Sequence, residues 1–89
     1  MVETEKIDTI IKSYLRIISY RLNESEVELT RRILASYGVT DQLRICKGQR
    51  PEDHSLVVIA NQLGVDISLV ENTTTKFAMW ITDGGMQPI

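Results

Sequence analysis

The sequence predicts a mostly α fold: a compact five-helix domain spanning residues 1–89, with a helix-turn-helix at about 52–80. Three observations predict it. Ile7, Ile10, Ile11, Tyr14, Leu15, Ile18 and Leu22 recur at three- and four-residue steps, the period of an amphipathic helix. Gly38, Gly48, Pro51 and Gly64 punctuate the chain at intervals that leave helix-sized pieces between them. Ala60, Gly64 and Val70 stand four and then six residues apart. That spacing puts a small residue where two helices cross, a residue tolerant of positive φ at the turn, and a branched apolar residue where the second helix packs back on the first.

The first element is expected over Thr4–Leu22, within an N-terminal segment 1–22. Lys6, Thr9, Lys12, Ser13 and Arg16 occupy its polar side, and Ile17 and Tyr20 widen the apolar stripe. A stripe that wide serves the core and offers a dimer seam. Asn23–Ser25 breaks the pattern. Either Asn23 with Glu26 or Ser25 with Glu28 fits a capping box. A second helix then runs to about Tyr37, with Val27, Ile33, Leu34 and Tyr37 inward and Gly38 as its stop. Its three glutamates sit near the positive end of the helix dipole and Arg31 and Arg32 toward the negative end, which is a sufficient structural reason for all five.

Thr40 is the expected cap of a short third helix ending near Lys47, with Leu43, Ile45 and Cys46 inward and Gly48 as terminator. Gln49–Pro51 reads as a loop, with Pro51 in the first turn of a fourth helix, about Glu52–Leu63. A fifth helix, about Ile67–Trp80, is capped by Asp66 or Ser68 and contributes Phe77 and Trp80 to core closure. Thr82–Gly85 reads as a turn and Met86–Ile89 as a tail. The rival reading is α+β. Alternation of Val65, Ile67 and Leu69, and of Thr75, Phe77, Met79 and Ile81, describes a C-terminal hairpin at about 65–82, and three consecutive threonines favour strand.

Composition narrows the class. Hydrophobic residues make up 43% and charged residues 25%, as in ordinary globular domains. The longest apolar run, Leu56–Ala60, is too short to cross a bilayer, so no membrane partner is expected. Met1–Asp8 is polar and acidic, unlike a secretory leader. One cysteine, Cys46, cannot close an intrachain disulfide, and a reducing cytoplasm is the expected setting. Net charge is −2, which excludes a general polycation but not nucleic acid, because distribution matters more than total. Residues 31–50 carry Arg31, Arg32, Arg44, Lys47 and Arg50 against Asp41 alone and form the only basic segment. A chain of this length has a small core, so self-association would help it, and a homodimer is expected.

The Leu56–Thr75 stretch resembles the helix-turn-helix of DNA-binding transcriptional regulators of the repressor type. Lys47–Pro51 followed by Ile59–Val65 is similar to the later helices of phage-repressor domains. Gln62-Leu63-Gly64 with Ile67 and Val70 is similar to the reading head of the tryptophan repressor. The likeness covers residues 44–77 at most. It implies double-stranded DNA as partner, with the second helix in a major groove. Ser68, Glu71, Asn72 and Thr73 would then face base edges: Asn72 toward adenine, Glu71 toward cytosine, threonine toward phosphate or a thymine methyl. Arg44, Lys47, Arg50 and Lys76 would contact phosphate. The expected action is transcription regulation by occupying a site.

Two features run against the resemblance. The second helix has no arginine, and Asp66 and Glu71 repel phosphate. The alternative is therefore a small protein-interaction module, of the kind a phage, virus or plasmid uses to modulate a host protein. Catalysis is not expected. Cys46 and His54 are the only residues of their kinds and lack metal-site spacing, and a Cys–His pair beside Asp53 is only formally a nucleophile. No P-loop or dinucleotide fingerprint appears, Asp83-Gly84-Gly85 is too short to cradle phosphate, and no cofactor is implied.

Overall fold

In a computed structural model, which describes residues 2–85 and the side chains of residues 5–84, five helices follow one another. They are α1 (Val2–Ile18), α2 (Glu24–Ser36), α3 (Val39–Cys46), α4 (Asp53–Leu63) and α5 (Ile67–Trp80), and a π-type turn (Ile81–Gly85) closes the described chain. No strand occurs among the described residues, so the hairpin at about 65–82 is excluded. The tail at 86–89 lies outside the described residues.

The threonine run that favoured strand is accommodated in α5 by a side-chain bond. Thr74 is buried, and its hydroxyl donates to the Val70 carbonyl one turn back, at 2.8 Å. That i to i−4 bond satisfies a buried hydroxyl within the helix. Asp66 starts the helix by accepting from the Ser68 N–H.

Ile7, Ile11, Tyr14 and Ile18 are buried as the α1 periodicity requires, but the helix ends at Ile18, one turn short of expectation. The Arg21 and Leu22 amides both return to the Ile18 carbonyl, which tightens the chain and turns Leu22 outward. The widening residues Ile17 and Tyr20 are exposed, Tyr20 at 80%.

At the start of α2 the capping box is Asn23 with Glu26. Asn23 Oδ1 accepts from the Glu26 N–H at 2.9 Å, and the Asn23 N–H donates to Glu26 Oε1 at 3.1 Å. Glu28 is thereby left for Arg31 and Arg32, which both donate to it and hold its carboxyl down at about 2. Gly38 is not the left-handed stop that was expected: its φ is −69°, and it begins α3 as N-cap, displacing Thr40 from that role. What ends α2 is Tyr37, whose backbone turns extended while its ring is buried. Gln42 then reaches back to donate to the Leu34 carbonyl, one of the last orphan acceptors of α2.

Gly48 and Gly64 are in the left-handed region, with φ of 78° and 67°, and terminate α3 and α4 as their positions predicted. Pro51 is buried but precedes α4 instead of occupying its first turn. The cap of α4 comes from another helix. Asp41 of α3 accepts from the Glu52 N–H at 3.2 Å and from the Ser55 hydroxyl at 2.5 Å. Remote capping of this kind leaves no local sequence signal, and Asp41 looked like nothing more than an acid in a basic stretch.

All five helices feed one core. Ile59 and Ala60 of α4 and fully buried Val70 and Phe77 of α5 belong to it. Tyr14 of α1 packs against Phe77 and Trp80 with ring centroids 5.0 and 5.1 Å away, tying the first helix to the last.

Candidate nucleic-acid interface

The unit at 53–80 is a helix, a three-residue connection and a helix. Gly64 leaves α4 with the Val65 amide bonded back to the Ala60 carbonyl, and Asp66 starts α5 three residues after Leu63. Ala60, small and buried, and Val70, with no exposed surface, are in the core that the two helices share. The packing consequences read from Ala60, Gly64 and Val70 are therefore present. Behind α5 stand Val70, Thr74 and Phe77, which fix the helix and leave its opposite face outward.

The four residues expected to face bases do not share one environment. Ser68 and Asn72 are exposed and one turn apart, hence on one face. The Ser68 hydroxyl donates to Asp66 Oδ1, while the Asn72 amide makes no side-chain hydrogen bond among the described residues. Thr73 is half-buried on the flank next to that row. Glu71 is exposed but engaged, because Arg50 Nη1 donates to it at 3.1 Å.

The four expected phosphate contacts are also divided. Arg50 reaches from the loop before α4 to two helices at once, donating to Asp53 of α4 at 3.2 Å and to Glu71 of α5. Two carboxylates thus share one guanidinium, so this basic residue presents no surplus positive charge. Lys76 lies one turn beyond Asn72, on the same outward side of α5, but about 140° around the helix from Glu71. It lines a groove with Tyr14 of α1 and with Arg21, which follows that helix. Arg50 therefore stands on one flank of the Asn72 face, through Glu71, and Lys76 continues the Ser68–Asn72 row. Lys47 is exposed at the end of α3, Arg44 is half-buried within it, and neither they nor Lys76 form an ion pair among the described residues.

A small cavity of about 210 Å³ lies between the α3–α4 loop and α5. Pro51, Leu56, Ala78 and Met79 give it apolar walls, and Arg50 and Glu71 line it as well. Elsewhere, burial pushes the half-buried Cys46 thiol up, away from the thiolate that a nucleophile needs. His54 is exposed on α4. Among the described residues no three His, Cys, Asp or Glu side chains are placed to hold a metal, and no helix is long and apolar enough to cross a membrane.

The Arg50–Glu71 link has no local signal in the sequence. The two residues are 21 positions apart, and only the known packing of the loop against α5 would bring them together. No family model matches the chain, and no curated protein or solved structure is significantly similar to it.

Proposed function

We propose that the protein is a small regulator that binds double-stranded DNA with the outward face of α5 and acts in the cytoplasm by occupying its site. The observation that carries this reading is the orientation of α5. Its inner face is pinned by Val70, Thr74 and Phe77, and its outer row of Ser68, Asn72 and Lys76 is exposed. A rigid helix with a free amide one turn into its exposed face suits insertion into a major groove. Asn72 pairs with a base edge, adenine by preference, and Ser68 sits at the same edge. Thr73 packs beside them. Lys47, Arg44 and Lys76 neutralise phosphates, and Arg50 orients Glu71 beside the groove.

A retention experiment with random-sequence duplex DNA across a salt series tests this. Three to four phosphate contacts predict an affinity that falls with roughly the third power of salt concentration. Asn72→Ala should relax sequence preference without altering that slope.

A second reading is favoured by a specific observation. Val57 and Val58 on α4, and Ile67 and Leu69 at the start of α5, are exposed, and Asp66 and Glu71 flank the last two. Apolar side chains with acidic neighbours suit a protein partner better than a phosphate backbone. Absence of any DNA retention at low salt would select this reading.

A further inference from the structure

A second stripe of α5 stands apart from the Ser68–Asn72–Lys76 row. Glu71, Thr75 and Ala78, with Thr82 in the turn beyond, recur at four-, three- and four-residue steps and face the α3–α4 loop. Gly48, Gln49, Arg50 and Pro51 of that loop form the opposite wall, and the cavity of about 210 Å³ lies between. Leu56 and Thr74, both buried, close its inner end. The Thr74 hydroxyl is already taken up by the Val70 carbonyl and Tyr37, so the inner end asks for apolar matter. Pro51, Ala78 and Met79 extend that apolar lining outward.

The volume sets the size of an occupant. An apolar cavity of about 150 Å³ holds one benzene ring, and drug-sized ligands need roughly 300 Å³ or more. This cavity therefore suits a ring or a short branched chain carrying a two-carbon arm and one polar end, about nine non-hydrogen atoms.

The mouth sets the polar end. Arg50 donates through Nη1 to Glu71 Oε2 and through Nη2 to Asp53 Oδ1, so one positive charge faces two negative ones. The surplus is negative, and an anion reaching for Arg50 meets both carboxylates. Glu71 Oε1 accepts no side-chain hydrogen bond among the described residues, and the carbonyls of Gly48, Gln49 and Arg50 accept none either. Surplus negative charge and unused acceptors both call for a cationic donor, and an ammonium brings three N–H groups.

We propose that this cavity binds a small primary amine, with its apolar body against Leu56, Pro51 and Ala78 and its ammonium on Glu71. The proposal goes beyond the DNA reading and is measured without DNA, so either can fail while the other stands.

The test is an NMR titration of the full, nitrogen-15-labelled chain with 2-phenylethylamine. Two probes of the same body accompany it: neutral 2-phenylethanol and anionic 3-phenylpropionate. The expected result is a saturable shift of the Gly48, Thr75 and Ala78 amides by the amine, half complete at about 1 mM or below. The alcohol should bind at least tenfold more weakly, and the carboxylate more weakly still. Glu71→Gln should remove most of the preference for amine over alcohol. Ala78→Leu fills the cavity with a good helix former, so it should abolish binding while helical circular dichroism is kept. No saturable shift at those amides up to about 10 mM amine overturns the proposal. Binding that survives Ala78→Leu overturns it too, by placing the amine elsewhere. A carboxylate that binds as well as the amine, or an amine preference that Glu71→Gln leaves intact, overturns the assignment of the ammonium to Glu71.

Discussion

The Tyr37 hydroxyl and Thr74 Oγ1 lie 2.6 Å apart in the core, joining the end of α2 to the middle of α5. Thr74 has one hydroxyl proton, and its geometry points that proton at the Val70 carbonyl. Tyr37 must therefore be the donor and Thr74 the acceptor. This bond holds the proposed reading helix from behind. Tyr37→Phe should destabilise the fold by about 1 kcal/mol, the net worth of a typical intramolecular hydrogen bond. Thr74→Val should cost a similar amount, and the two losses should be less than additive in a denaturant-unfolding cycle.

The same tyrosine predicts an alkaline limit. Burial raises the pKa of Tyr37 above its ordinary value of 10, and burial does the same to Tyr14. A raised folded-state pKa gives stability that is complete below the unfolded value and is lost as pH rises through the folded one. Stability should therefore be flat up to about pH 9 and fall above pH 10. In Tyr37→Phe the fall should be shallower, which unfolding midpoints at stepped pH would register.

At the acid end the responsible group is Glu28, held at about 2 by Arg31 and Arg32. A depressed carboxyl contributes stability above its unfolded pKa, near 4.5, that disappears as pH falls toward 2. Glu28→Gln should flatten that part of the stability profile. Because the cluster is exposed, added salt should flatten it as well.

Asp41 makes a polar contribution that the local sequence did not announce. It caps α4 from α3, and Asp41→Ala leaves the Glu52 amide and the Ser55 hydroxyl without their acceptor. The expected cost is about 1–2 kcal/mol, in the range of lost N-caps, read as a lower unfolding midpoint at unchanged m-value.

The two left-handed glycines should separate strain from crowding. A Cβ on Gly64 meets open space, so Gly64→Ala costs about 1 kcal/mol of backbone strain alone. A Cβ on Gly48 collides with the Thr82 methyl in the turn after α5. Gly48→Ala should therefore cost more than Gly64→Ala, by an amount that Thr82→Ser recovers.

Much of the fold was legible because its signals were local. The three- and four-residue apolar steps mark α1 apart from its end, which falls one turn earlier; one of two capping-box candidates, Asn23 with Glu26, marks the start of α2; and Gly48, Gly64 and Asp66 mark three boundaries to within a residue. The misplaced features are those decided at a distance. Gly38 reads as a helix stop, but the chain turns because Tyr37 is drawn into the core. Thr73–Thr75 reads as strand, but Thr74 finds its partners in Val70 and Tyr37. The candidate site divides in the same way. That Ser68 and Asn72 share an exposed face follows from helical spacing. That Arg50 is tied to Glu71 does not, because a pairing across 21 residues depends on how the loop packs.

That pairing also decides how the DNA proposal is best tested. Arg50 is now balanced by Asp53 and Glu71. Replacing Glu71 with glutamine leaves the fold nearly unchanged, since exposed ion pairs contribute about 0–1 kcal/mol, but it frees half of the guanidinium's engagement and removes a charge that repels phosphate. The measurement is the affinity of wild type and Glu71→Gln for duplex DNA across a salt series. The account predicts salt-dependent binding by the wild type, and tighter binding by the variant, with a log–log slope steeper by about one unit. No binding by either protein at low salt would contradict it.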